Sequence, residues 1–268
     1  MTTAAELWAY RNLIYNLAQR ELRSRYKKSI LGWAWSLLNP ASTLVIFSVV
    51  FGVIFSSVAP PTGKSDTESF ALYLFCALVV WNFFSGTVNG SISSLQAAGT
   101  LLNKVYFPPA CPAIANMFTV MLQALIEGGI LVAIMLAIGN VGPTFVLFPL
   151  LLVCVGLFGL GIGLFVSVYN VYLRDVGYLV SIGMNMLFYA TPIVYSAEQA
   201  QEALPSWAWT GYKLNPLFHM VDWARDAFYL LRWPGLPSIL AVVGVSLGTF
   251  LVGTALFNRK ARNVIEEL

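Results

Sequence analysis

Runs of about 20 predominantly apolar residues recur along the chain, and they constrain its fold more than any other feature. Only helices and closed barrels satisfy their own backbone groups in hydrocarbon. These runs are continuous rather than alternating, so they read as helices. They cover Trp35 to Val58, Phe70 to Gly90, Pro112 to Ile138, Thr144 to Asn170, Val176 to Val194 and Leu236 to Phe257. The third and fourth are joined by the turn Gly139-Asn140-Val141-Gly142-Pro143, and Pro192 breaks the fifth near its end. The expected fold is all-α and integral to a membrane, with six transmembrane helices. Composition agrees: 58% of residues are hydrophobic and 10% charged, against about a quarter charged in a soluble domain. The net charge of +3 is too small to suggest a nucleic-acid partner.

The charges set the topology. Arg11, Arg20, Arg23, Arg25, Lys27, Lys28, Lys104, Arg174, Arg259, Lys260 and Arg262 fall on the face that carries the N-terminus. Only Lys64, Lys213, Arg225 and Arg232 fall on the other. The positive-inside rule makes both termini cytoplasmic in a plasma (inner) membrane. Residues 1–29 lack the pattern of a secretory signal, so the internal helices are expected to be the anchor.

Between the spans, Leu7 to Lys28 is amphipathic. Leu7, Tyr10, Ile14, Leu17, Ala18 and Leu22 share one face, and Arg20, Arg23 and Lys27 share another stripe. Such a helix is expected in the cytoplasmic interface. Residues 1–32 form this interfacial helix and its turn; 33–268 form the six-helix domain. Residues 91–109 read as a cytoplasmic segment with a short helix. Residues 195–237 are too charged, and too interrupted by Pro205, Pro216 and Pro234, to span. One or two short re-entrant helices are expected there, with Leu217, Met220, Val221, Ala224, Phe228 and Leu231 on an apolar face and Asp222, Arg225 and Asp226 opposite.

Gly63-Lys64-Ser65 resembles the end of a phosphate-binding loop, but Val58 stands where that loop needs glycine. It reads as an external turn. Cys76, Cys111 and Cys154 are far apart and His219 is the single histidine, so no metal site and no disulfide follow. Glu127 is the one charged residue near the middle of a span. An acid there costs about 2.5–3.5 kcal/mol on the insertion scale. It either lines a cavity or subunit contact, or makes a structural hydrogen bond to a neighbouring helix. The pairs Gly86/Gly90, Gly159/Gly163 and Gly244/Gly248 have the spacing that lets membrane helices approach closely. The aromatic residues, Trp81, Tyr195, Trp207, Trp209 and Trp223 among them, form either an interfacial belt or a path of rings for sugar faces. No acidic pair spaced for metal ligation at an interface, no D-x-D and no Walker motif is present, so neither glycosyl transfer nor ATP hydrolysis is expected of this chain.

The order of several short motifs resembles the permease subunit of ABC-2 type exporters of polysaccharide, O-antigen and teichoic acid. The match begins at Arg20-Glu21-Leu22-Arg23-Ser24-Arg25-Tyr26-Lys27-Lys28-Ser29-Ile30-Leu31-Gly32 and runs through Trp35 to Asn39-Pro40. Tyr73-Leu74-Phe75-Cys76 and Val80-Trp81-Asn82-Phe83-Phe84 follow, then Leu102 to Pro108, Tyr172-Leu173-Arg174-Asp175, Thr191-Pro192-Ile193-Val194-Tyr195 and Asn215-Pro216-Leu217. Pro109 departs from the basic residue that relatives often carry.

The resemblance implies two copies of this chain with two copies of a separate nucleotide-binding ATPase. That partner would bind ATP and Mg; no cofactor is expected in this chain. It implies a polyprenyl-linked glycan as cargo, with a lipid diphosphate head entering near Arg20, Arg23, Arg25, Lys27, Lys28 and the Leu31-Gly32 turn. Leu102, Asn103, Lys104, Tyr106, Phe107 and Pro108 would couple to the ATPase. Trp81, Phe84, Tyr195, Trp207, Trp209 and Trp223 would form the glycan path or outer gate. An ABC-2 permease for a small drug or lipid is the alternative, and a non-transport membrane scaffold is a second.

Overall fold

The computed structural model describes residues 4–25, 27, 29, 31–55, 59–65, 67–102 and 104–267, with the backbone alone at 4, 5, 25, 33, 100 and 261–267. The chain enters through two short helices, α1 (Ala4–Ala9) and α2 (Arg11–Arg25). A 3₁₀ turn, Gly32–Ala34, then leads into α3 (Trp35–Phe47), which continues as a π-helix over Ser48–Ile54. Gly32 has φ +49, a left-handed conformation that is cheap only without a Cβ. The long helices follow: α4 (Phe70–Leu102), α5 (Cys111–Ala137) and α6 (Leu147–Tyr172). After α7 (Asp175–Tyr189) come the short helices α8 (Ala197–Ala203), α9 (Ser206–Lys213) and α10 (Pro216–Arg225). A π turn over Asp226–Leu230 closes α10, and α11 (Leu236–Glu267) ends the fold.

Among the described residues, five helical segments are long and apolar enough to cross a membrane: Trp35–Ile54, Phe70–Gly99, Cys111–Ala137, Pro143–Tyr172 and Leu236–Lys260. The chain is therefore a multi-pass membrane protein. The run expected as a fifth span folds as α7, with only 15 residues. That is about 22 Å at 1.5 Å per residue, short of a 30 Å hydrocarbon core.

α4 is the central helix. It packs on α5 and α6, and α6 packs in turn on α11. Of the apolar window of α4, 83% is buried within the protein, against 11% for the first span. Small residues set these approaches. A Cβ on Gly86 or Gly90 would strike Val120 or Asn116 of α5, and one on Gly163 would strike Ser91. The α6–α11 contact does not use Gly244 and Gly248, which face open space; it is made by Gly161 against Gly253, backbone to backbone.

The segment 91–109 also differs from expectation. There is no separate helix: α4 runs unbroken to Leu102 for 33 residues, about 50 Å, because nothing before Pro108 interrupts its hydrogen bonds. Its last turns, with Phe107, form a second apolar cluster with Ile14 and Ala18 of α2, Cys111 and Ala115 of α5, and Phe257 of α11. The apolar face of α2 thus rests partly on protein.

Candidate functional site

Four regions carry the predicted functional residues. On the N-terminal side, the side chains of Arg20, Arg23 and Lys27 are exposed, as is Leu31. Gly32, with its positive φ, follows them in the chain. Lys28 and the side chain of Arg25 lie outside the described residues.

The link from α4 to α5 divides the expected coupling residues into two groups. Leu102, Phe107 and Pro108 are buried, whereas Lys104, Val105 and Tyr106 project. Tyr106 is 70% exposed and Phe107 1%. The amides of Lys104 and Val105 both donate to the carbonyl of Leu101, and that of Cys111 donates to Pro108. The result is a knob with an anchored base and an exposed tip. Asn103 lies outside the described residues.

In the middle of the spans, Glu127 accepts a hydrogen bond from a neighbouring helix and also lines a cavity. Its Oε2 accepts from Asn82 Nδ2 of α4 at 3.3 Å and its Oε1 from Gln123 Nε2 at 3.3 Å. It is 6% exposed. Gln123 Nε2 also donates to the carbonyl of Ser36 at 3.2 Å. In a regular helix the residue 40 amide would bond that carbonyl, but Pro40 has no N–H. The side chain of Gln123 thus supplies the donor that Pro40 lacks. Ser36, Asn39, Thr43, Asn82, Gln123 and Glu127 surround a cavity of about 410 Å³, within the range of small-molecule sites. The pairing of Gln123 with Glu127 was legible from their i, i+4 spacing. The participation of Ser36 and Asn82 was not.

At the far end, α10 forms the core of a polar knot. Arg225, expected on the solvent side, is only 1% exposed. Its guanidinium lies 3.8 Å from the centre of the Tyr73 ring and donates to the carbonyls of Tyr73 (3.4 Å), Ile193 (3.1 Å) and Tyr195 (3.5 Å). The expectation failed because the Thr191-Pro192 turn leaves carbonyls inside, and one guanidinium fork serves several of them. Burial lowers the Arg225 pKa from its ordinary value and raises that of Asp222. It also pushes Asp226 up to about 6, with the nearby Asp222 adding to the effect and Arg232 opposing it. Asn140, 0% exposed, ties in the neighbouring turn. It donates to the carbonyls of Phe228 and Tyr229 at 3.0 Å and accepts from the amide of Lys64 at 3.0 Å. The Gly63-Lys64-Ser65 segment is a turn whose Gly63 amide donates to Tyr229 O.

Of the candidate path residues, Trp81 and Phe84 meet with ring centres 5.9 Å apart, and Tyr195 and Trp209 both contact Tyr212. Phe84 is stacked on Phe158 with ring centres 5.4 Å apart, and both it and Trp223 are only 1% exposed. Neither offers an open ring face, since the close approach of α4, α6 and α10 fills the space around them. Trp81 is half-buried against Phe188. Trp209 stacks on Tyr212, whose hydroxyl lies 2.8 Å from that of Tyr195, and Trp207 stands 78% exposed on α9. Among the described residues, no group of His, Cys, Asp and Glu is placed to hold a metal, and the three cysteines are buried and free.

Known proteins bear on this arrangement. The chain is 28% identical to the O-antigen export system permease protein RfbA of Myxococcus xanthus over 265 residues, covering 98% of both. A protein of the same name from Klebsiella pneumoniae is 28% identical over 92% of both chains. The polysialic acid transport protein KpsM of Escherichia coli is 26% identical over 90% of both. Residues 12–229 match the family model for the ABC-2 type transporter membrane domain, a stretch that runs from α2 through the outer knot and takes in all four regions, so the chain belongs to that family.

Proposed function

We propose that this chain is the membrane-spanning permease subunit of an ABC exporter that carries a polysaccharide outward, with ATP hydrolysed by a separate partner. The observation that carries the reading is the near full-length similarity to three proteins whose names specify O-antigen export or polysialic acid transport. The absence of a Walker motif from these residues agrees with a transport subunit rather than an enzyme.

The finer picture rests on the same reading. α7 completes a sixth crossing, its shortness compensated by the Thr191-Pro192 turn and by interfacial aromatics. Both termini then face the cytoplasm of a plasma membrane, with the basic residues on that side. A second copy covers the poorly buried first span, and each copy docks one ATPase on the Lys104–Tyr106 tip. The cargo is a polyprenyl-diphosphate-linked glycan whose head meets Arg20 and Arg23, where cations pair with phosphate oxygens. It passes the Gly32 turn and leaves past α8 and α9, the surface helices of the outer gate.

Depletion of the chain in its host tests the reading. The expected result is loss of one surface glycan and accumulation of its lipid-linked form inside the cell. Unchanged envelope glycans would refute it. For the coupling knob, Tyr106→Ala should weaken co-purification of the ATPase about tenfold or more, as removal of an interface aromatic does, while leaving the permease folded.

A further inference from the structure

The cavity beside Glu127 has features that packing alone does not require. A carboxyl group and three carboxamides line a cavity where three spans meet, and a well-packed apolar set would close the same space at lower cost. We propose that this cavity is a hydroxyl-recognition site for one sugar unit of the cargo glycan, deep in the membrane just beyond the Gly32 turn. The proposal rests on the polysaccharide-export reading and specifies where that substrate is first held.

The chemistry fits a neutral polyol. A carboxylate has about four lone-pair positions. Asn82 and Gln123 each fill one on Glu127, at 3.3 Å, which leaves positions for donors from a ligand. A sugar hydroxyl donates and accepts at once, so a vicinal diol can donate to Glu127 and accept the second amide proton of Asn82. Trp35, 43% exposed, also lines the cavity, giving an apolar wall for the C–H face of a pyranose. A divalent cation fits poorly, because Glu127 is the single acid lining the cavity. The volume of about 410 Å³ corresponds to roughly a dozen waters, enough for one sugar ring with residual solvent. The position is also suited to reception. Ser36 and Asn39 line it within two helical turns of Gly32, so a glycan admitted at that turn meets this polar surface first.

The test uses the full chain purified in detergent with Thr43→Cys as reporter. Thr43 lines the cavity, and Cys76, Cys111 and Cys154 are buried, so their background reaction with a charged thiol reagent is slow. Methyl α-glucopyranoside is the probe, with betaine at equal osmolarity as control. The labelling rate should fall with sugar and not with betaine, by roughly tenfold when the sugar is about ten times its Kd. Protection should weaken in Glu127→Gln, which keeps the shape, and vanish in Glu127→Ala. Size-exclusion profiles show whether each variant is folded. Protection that is absent, or that persists undiminished in both Glu127 variants, overturns the site. Either outcome leaves the export reading intact, because that stands on envelope glycan after depletion.

Discussion

Gln123 and Pro40 should be energetically coupled, with a sign and size set by one carbonyl. Ser36 O accepts from Gln123 Nε2 at 3.2 Å, and Pro40 has no amide proton to offer it. Gln123→Leu leaves this carbonyl without that donor, at a cost of about 1–3 kcal/mol. In a Pro40→Ala background, residue 40 regains an N–H one turn beyond Ser36 and the helix supplies the bond itself. The same Gln123→Leu change then costs only the contact with Glu127 Oε1 at 3.3 Å. That loss is common to both backgrounds and cancels in the double-mutant cycle, leaving a coupling of about 1–3 kcal/mol in which the two changes together destabilise less than their sum. Reversible unfolding of the four variants in mixed micelles, followed by tryptophan fluorescence against increasing denaturing detergent, measures it. Additivity within about 0.5 kcal/mol, or coupling of the opposite sign, would refute the assignment of Gln123 as the donor that Pro40 lacks.

Three further outcomes are expected. Arg225→Met should cost about 2–4 kcal/mol, because the buried carbonyl of Ile193 and the partly buried one of Tyr195 lose their donor. Faster amide exchange across residues 191–196 would accompany it, and unchanged exchange there would count against the anchoring role. Asp226→Asn should stabilise the protein at neutral pH and have little effect near pH 4. The folded carboxyl holds its proton up to about pH 6, so the stability associated with the protonated group is complete below its ordinary pKa and lost as pH rises through about 6. The difference between 3.8 and about 6 corresponds to at most about 3 kcal/mol, and solvent screening of this half-buried group lowers the gain to about 1 kcal/mol. Melting curves of both forms across that range measure it, and an equal offset at every pH would contradict it. Gly253→Leu should separate α6 from α11 and cost about 3 kcal/mol or more, whereas Gly244→Leu, which points into open space, should change the melting temperature little; equal effects would refute the assignment of the contact.

The spans were legible because hydrocarbon imposes a length and a composition that any sequence must display. Trp35–Ile54, Cys111–Ala137 and Pro143–Tyr172 lie within a few residues of the apolar runs that announced them. Apart from Gln123 with Glu127, the polar partners were not legible, because those pairings join residues far apart in sequence. Asn82 and Glu127 are 45 positions apart, and Arg225 and Tyr73 are 152. Asn140 illustrates the limit. Within Gly139-Asn140-Val141-Gly142-Pro143 it reads as an ordinary turn residue, yet its amide closes the end of the π turn after α10. The α10 faces failed at Arg225 for a related reason. An arginine on an amphipathic helix is assigned to solvent by its charge, and only the folded Ile193–Tyr195 turn supplies carbonyls that make the interior a better environment.

The glycine pairs show the same limit in apolar form. Gly244 and Gly248 have the spacing of a close contact, and so do Gly159 and Gly163, but only the second pair meets a neighbour. Spacing on one helix states that a groove exists and does not state what fills it. α4 and the first span illustrate this at the scale of whole helices, with mean hydropathies of 1.7 and 2.0 and buried fractions of 83% and 11%. In water those burials would demand different compositions, since an exposed apolar face is penalised. In a bilayer the lipid tail is as apolar as leucine, so the penalty disappears and one composition serves both positions. What distinguishes the helices is polar and small residues at particular points. Asn82 directs one turn of α4 towards Glu127, Gly86 and Gly90 admit α5, and the Ser36 carbonyl ties the otherwise loosely held α3 to Gln123. The mobility that a permease needs follows from this division. A central helix is fixed by close packing, and the sparsely buried first span is held at one depth by the bond from Gln123 to Ser36, so moving it requires exchange of a polar partner rather than disruption of a core.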